Sequence, residues 1–157
     1  MIPFLSRSPE QTRKWAAQLA RALQPNDVLA LIGEIGCGKT TFVQGIAQGL
    51  QVPKLSVGSP SFVLVREYRG KIPLYHADLF RLERLPEAAT VGLEEYYEGE
   101  GVTVIEWANR IPQVLPEEFL EIQFEVTDPR TRKILIVPHG KRYRGRTWIP
   151  RTQLLRK

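Results

Sequence analysis

One octapeptide, Gly33-Glu34-Ile35-Gly36-Cys37-Gly38-Lys39-Thr40, narrows what this chain can fold into more than any other stretch, because it satisfies G-x-x-x-x-G-K-[ST] between two elements of the right kind. Before it, Val28-Leu29-Ala30-Leu31-Ile32 is a continuous apolar run, the pattern of a strand covered on both faces of an α/β sheet. After it, Phe42, Val43, Ile46, Ala47 and Leu50 recur at helical spacing. Strand, glycine-rich loop and helix together form an anion nest: backbone N–H groups turn inward and the positive end of the helix points at the same place. The pattern predicts that Lys39 reaches the β- and γ-phosphates of a nucleotide and that Thr40 offers its hydroxyl oxygen to Mg²⁺. Gly33, Gly36, Cys37, Gly38, Lys39 and Thr40 are accordingly the expected nucleotide-binding residues.

The rest of the chain fits one domain, since 157 residues bury a sizeable core and leave little for a second. Cys37 is the only cysteine, so no intrachain disulfide can form. No apolar run approaches the roughly 20 residues a membrane-crossing helix needs, and MIPFLSRSPE lacks a basic stretch followed by a long apolar one. The expectation is a cytoplasmic protein. The net charge of +5 is concentrated at one end: Lys141 to Lys157 holds seven basic and no acidic residues, leaving 15 basic against 17 acidic elsewhere. Such a segment suits phosphate-rich partners, nucleic acid among them, and equally suits a solvated tail.

Ser8-Pro9-Glu10-Gln11 has the order of a helix start, and Trp15, Ala16, Leu19, Ala20 and Leu23 would form the buried face of the helix it begins. Residues 62–68 and 72–77 flank Arg69-Gly70-Lys71 and read as a hairpin, with Pro73 favouring an edge position. Leu82 to Tyr97 is acidic and helical in parts. Val102-Thr103-Val104-Ile105 reads as another buried strand, and the alternation of Leu120, Ile122, Phe124 and Val126 and the stretch 133–137 as further strands. The predicted fold is a single α/β P-loop NTPase domain over residues 1–140, with a mixed, mainly parallel sheet flanked by helices and an antiparallel hairpin, followed by a basic tail over 141–157.

A phosphate loop needs a carboxylate on its magnesium side, commonly at the end of a neighbouring apolar strand. Glu106, closing Val102–Ile105, fits this role, and Asp78, closing the strand before Leu79, is the second candidate, able to orient water or to pair with Arg81. Lys39, Asp78 and Glu106 are therefore the predicted catalytic set, with Thr40 and Glu106 as metal ligands. His76 reads as packed or solvated. Cys37 lies in the loop leading to a helix N-terminus, where a thiol tends to acidify, and also reads as small filler. Ser59-Pro60-Ser61-Phe62 puts two hydroxyls on a constrained turn, where they can sense a γ-phosphate or simply make the turn.

Gly33 to Thr41, Ser59-Pro60-Ser61-Phe62, Asp78-Leu79-Phe80-Arg81-Leu82, Gly92-Leu93-Glu94-Glu95-Tyr96 and Ile105-Glu106-Trp107, in this order, resemble the motif set of the TsaE family over roughly residues 5 to 137. The resemblance implies binding and hydrolysis of ATP with Mg²⁺ in the service of threonylcarbamoyladenosine modification of tRNA, alongside the TsaD and TsaB proteins, with group transfer belonging to TsaD. By motif position it implies that Thr40 and Glu106 hold magnesium, Gly36 to Thr41 hold phosphates and Asp78 assists hydrolysis. Ser61 would act as a switch residue, Glu10 and Asn109 would lie near the nucleoside, and Arg130, Arg132 or Lys133 would touch the nucleotide. Cys37, Ser61 and Phe80 stand where the family usually has alanine, threonine and tyrosine; Ser61 keeps its hydroxyl and Phe80 loses one. On the residues alone two other readings stay open, a small-molecule P-loop kinase and a non-catalytic RNA-binding module whose basic tail does the binding.

Overall fold

The structure is a computed structural model that describes residues 2–53, 57–58, 64–82 and 92–148. Along the chain its elements are β1 (Ile2–Ser6), α1 (Pro9–Ala20), β2 (Val28–Ile32), α2 (Lys39–Gly49), β3 (Val65–Tyr68), β4 (Leu74–Asp78), α3 (Leu93–Tyr97), β5 (Val102–Glu106), β6 (Phe119–Val126) and β7 (Arg132–His139), with two short 3-10 turns between β5 and β6. These seven strands make one sheet in the order β1-β7-β6-β2-β5-β4-β3. β2 pairs in parallel with both β5 and β6, and β4 pairs in parallel with β5, so the middle of the sheet is parallel and the expected mixed architecture is found. β7 and β1 on one side, and β3 on the other, are antiparallel.

Alternation along β2 explains why its sequence is apolar throughout. Leu29 and Leu31 enter the core beneath α1 and α2 with Trp15, Leu19, Phe42 and Ile46, whereas Val28 and Ala30 enter a second cluster with Ala77, Leu79, Ile105 and Ile111. Side chains of successive strand residues point to opposite faces, so a strand covered on both sides has no position left for a polar residue. α1 begins as its sequence predicts: the Ser8 hydroxyl accepts the Gln11 N–H at 3.1 Å, while the Gln11 side chain accepts the N–H of Arg7 at 2.8 Å, one residue earlier than in a standard capping box.

Several features differ from the sequence reading. β1 was not foreseen, because Ile2–Ser6 is short, lacks alternation and contains Pro3; it is an edge strand, where a missing N–H is tolerated. Pro73 does not mark an edge either. It immediately precedes β4, an interior strand, where its absent N–H interrupts no ladder and its carbonyl accepts the Val102 N–H at 2.8 Å. The basic segment is docked up to Trp148. Tyr143 and Trp148 are buried in the core cluster, and Arg142 and Arg146 lie 2.9 and 2.7 Å from the carboxylate of Asp27, itself fully buried. The Val28 N–H donates to the Tyr143 hydroxyl at 2.8 Å, fastening this segment to the start of the central strand. No helix among the described residues is long and apolar enough to cross a membrane.

Candidate functional site

Because β2, β4, β5 and β6 are parallel, their C-terminal ends share one edge of the sheet, and that edge is where an α/β fold gathers its ligand-binding groups. The loop after β2 reverses the chain into α2 through Gly36 at φ +75° and Gly38 at φ +104°, left-handed conformations that side chains other than glycine rarely adopt. Gly33 is held for a different reason. A Cβ there would stand 2.6 Å from Cys37 Sγ and 2.9 Å from Phe124 Cβ, so the loop closes tightly on the end of β6.

Lys39, only 5% exposed, curls its ammonium group back into this loop, donating to the carbonyls of Gly33 and of Glu34, the latter at 3.0 Å. The same ammonium lies 3.9 Å from the centroid of the Trp107 indole, a cation–π contact. Thr40, in the first turn of α2, donates its hydroxyl to the Glu106 carboxylate, with Oγ1 at 3.0 and 3.2 Å from the two oxygens. Asp78 and Glu106 are direct register partners at the ends of β4 and β5. Asp78 Oδ1 accepts the Phe80 N–H at 2.8 Å, which turns the chain sharply after the strand.

Gly36, Gly38, Lys39, Thr40, Thr41, Asp78 and Glu106 thus line one cleft of about 390 Å³, together with Ile35, Phe80 and Trp107. Trp107 holds φ +59°, unusual for a bulky residue, and this backbone turn sets its ring against Phe80 at 4.9 Å between centroids. Thr40 and Glu106 supply oxygen donors of the kind Mg²⁺ takes, and the cleft beside them leaves room for phosphate oxygens and water to complete a shell. Among the described residues no group of three or more His, Cys, Asp or Glu side chains forms a metal cage.

The remaining predicted residues fall elsewhere. Glu10 is exposed in the first turn of α1 and lines a separate groove with Arg13, Lys14 and Gln48. Asn109 is exposed in the 3-10 turn after Trp107, and Arg130 is exposed in the β6–β7 turn. Of the three basic residues there, it is Arg132 whose guanidinium donates to the Gly36 carbonyl, at 3.4 Å. Ser61 lies outside the described residues. Cys37 is 1% exposed, and burial pushes its thiol pKa up from 9.0, against the acidified thiol its loop position predicts. Its side chain packs inward, with Lys39 Nζ 3.6 Å from its sulfur. His76 is the residue the sequence reading undervalued: it is fully buried with Nε2 2.8 Å from Glu106 Oε1. The signal was present in the strand period, since residues two apart share a face and His76 therefore shares one with Asp78.

A parallel-centred sheet whose middle strand runs through G-x-x-x-x-G-K-T into a helix, with acids closing the next two strands on one side of it, β5 and β4, defines a single-domain α/β protein of the P-loop class. The family model described as "Threonylcarbamoyl adenosine biosynthesis protein TsaE" matches residues 6–134, and the chain belongs to the TsaE family. It is 42% identical over 137 residues to the tRNA threonylcarbamoyladenosine biosynthesis protein TsaE of Bacillus subtilis (strain 168), covering 87% of this chain and 85% of that one. The protein of the same name from Treponema pallidum (strain Nichols) is 37% identical over 132 residues, 84% of this chain and 97% of the relative. The crystal structure of YdiB from Bacillus subtilis superposes with a TM-score of 0.76 at 36% identity, covering 90% and 88% of the two chains.

Proposed function

We propose that this chain is a magnesium-dependent ATPase that serves threonylcarbamoyladenosine modification of tRNA, acting with the TsaD and TsaB proteins and resetting their complex through ATP hydrolysis. Membership of the TsaE family supports the pathway. The observation that carries the chemistry is the meeting of Thr40 and Glu106 across 3.0 Å, beside the Lys39 ammonium, in a cleft whose floor is a glycine loop.

In this reading the loop N–H groups and the N-terminus of α2 receive the phosphate tail, and Lys39 exchanges its two carbonyl acceptors for phosphate oxygens. Thr40 and Glu106 would hold the magnesium ion, which when bound offsets charge on the β- and γ-phosphates. Asp78, a strand's width from Glu106, accepts hydrogen bonds and suits orienting the attacking water. Trp107 and Phe80 wall the cleft and exclude solvent from one side. The reading requires no acceptor other than water, which separates it from a kinase.

Phosphate release is the test, measured with the chain alone, with TsaD, TsaB and tRNA added, and with small-molecule acceptors added. The expected result is slow release alone and faster release with the partners present. Rapid phosphorylation of a small acceptor would replace this reading with a kinase.

A further inference from the structure

His76 occupies a position where an aliphatic side chain would pack with less cost. Its strand partner in register is Val104, and Val104 and Leu74, two residues earlier in β4, belong to the apolar core cluster; the imidazole is 0% exposed and its Nδ1 has no hydrogen-bond partner among the described residues. A polar atom kept unpartnered inside an apolar layer works against folding, so the gain from this side chain must come through its other nitrogen. That nitrogen, Nε2, stands 2.8 Å from Glu106 Oε1.

We propose that His76 is a positioning residue for the magnesium site, its Nε2–H holding the Glu106 carboxylate turned toward Thr40 and the cleft. This deepens the magnesium-nucleotide reading above and rests on it. A carboxylate only accepts, so the bonded Nε2 carries the proton and donates it to Glu106. Among the described residues, two side chains donate to Glu106. Thr40 belongs to the phosphate loop and its helix, and its hydroxyl oxygen is the one offered to the cation. His76 is fixed on the interior strand next to Glu106. It therefore remains in place whatever Thr40 does, and keeps the carboxylate in one orientation as the cation arrives.

His76→Leu and His76→Gln separate this role from packing. Leucine matches the apolar layer and removes the donor; the glutamine amide nitrogen reaches about as far as Nε2 and keeps it. Binding of Mn²⁺, followed by its electron paramagnetic resonance in the presence of a non-hydrolysable ATP analogue, reads the site without turnover. His76→Leu is expected to melt at or above the wild-type temperature and to need about 10- to 100-fold more Mn²⁺, with His76→Gln within about threefold of wild type. Metal-free nucleotide affinity should stay unchanged in both. If the leucine variant fails to fold, His76→Asn takes its place, since its amide stops at the Nδ1 position and is expected to lose Mn²⁺ binding. Wild-type Mn²⁺ affinity in a variant without the donor, or equal loss in the glutamine variant, overturns the positioning role alone. A wild-type protein that takes up no Mn²⁺ with nucleotide overturns the magnesium reading as well.

Discussion

In the proposed reading Thr40 and Glu106 would hold a cation and Asp78 would orient water, two separate tasks. Glu106 is tied to Thr40 and Asp78 to the turn at Phe80, and this difference makes their variants distinguishable. Glu106→Gln is expected to remove the magnesium dependence of nucleotide binding. Asp78→Asn keeps an oxygen for the Phe80 N–H, so it should leave binding nearly unchanged and lower turnover by about 10²- to 10⁴-fold. Titration calorimetry with and without magnesium, set beside single-turnover phosphate release, checks both; the opposite pattern would exchange the two assignments. At this scale the loop residues, Asp78 and Glu106 were legible, because motif spacing and strand ends are local properties of a sequence. The left-handed backbone at Trp107 was not, and neither was the contact of His76 with Glu106, which depends on β5 lying alongside β4. Arg132 shows the same limit: the family resemblance implies one of three neighbouring basic residues, and only the pairing of β6 with β7 puts one of them against Gly36.

Among the elements, β2, α2 and β5 could be drawn from their apolar patterns alone, whereas β1 and the docked segment after β7 could not. β1 gains its place from β7, a partner about 130 residues away in the chain, with Ile2 opposite Ile136, and no local propensity announces that. The basic segment misleads for a related reason. Its charges suggest solvent, yet Arg142 and Arg146 neutralise Asp27, and Arg146 also lies over the rings of Tyr143 and Trp148 at 5.3 and 5.2 Å. Replacing both arginines by alanine would leave the Asp27 carboxylate with the Gln24 N–H as its remaining donor among the described residues, at 2.8 Å. The expected loss is about 3 kcal/mol of folding stability, the low end for breaking a buried ion pair because that donor stays. Urea denaturation of the double variant measures it, and a midpoint equal to wild type would mean that the segment merely rests on the surface.

For the whole molecule, one consequence of burial extends beyond the site. Burial raises the pKa of Cys37 from 9.0 and those of Tyr97 and Tyr143 from 10.0. On the alkaline side the unfolded chain therefore loses these protons first, the folded state binds more of them, and stability falls as pH rises. It is fully present below about pH 9 and should drop measurably between about pH 9 and about pH 11, which urea midpoints across that range would record; a flat profile would contradict the burial of these groups. The parallel centre of the sheet is the larger consequence. It brings the loop after β2, Asp78 and Glu106 to one edge, and the whole functional account depends on that edge accepting a triphosphate. The direct measurement is calorimetric titration of ATP into the wild-type chain and Lys39→Ala, each with and without magnesium. The account predicts magnesium-enhanced binding that weakens by at least about tenfold, or about 1.4 kcal/mol, when the ammonium is removed. Equal affinity in the two proteins, or no binding to either, would contradict it.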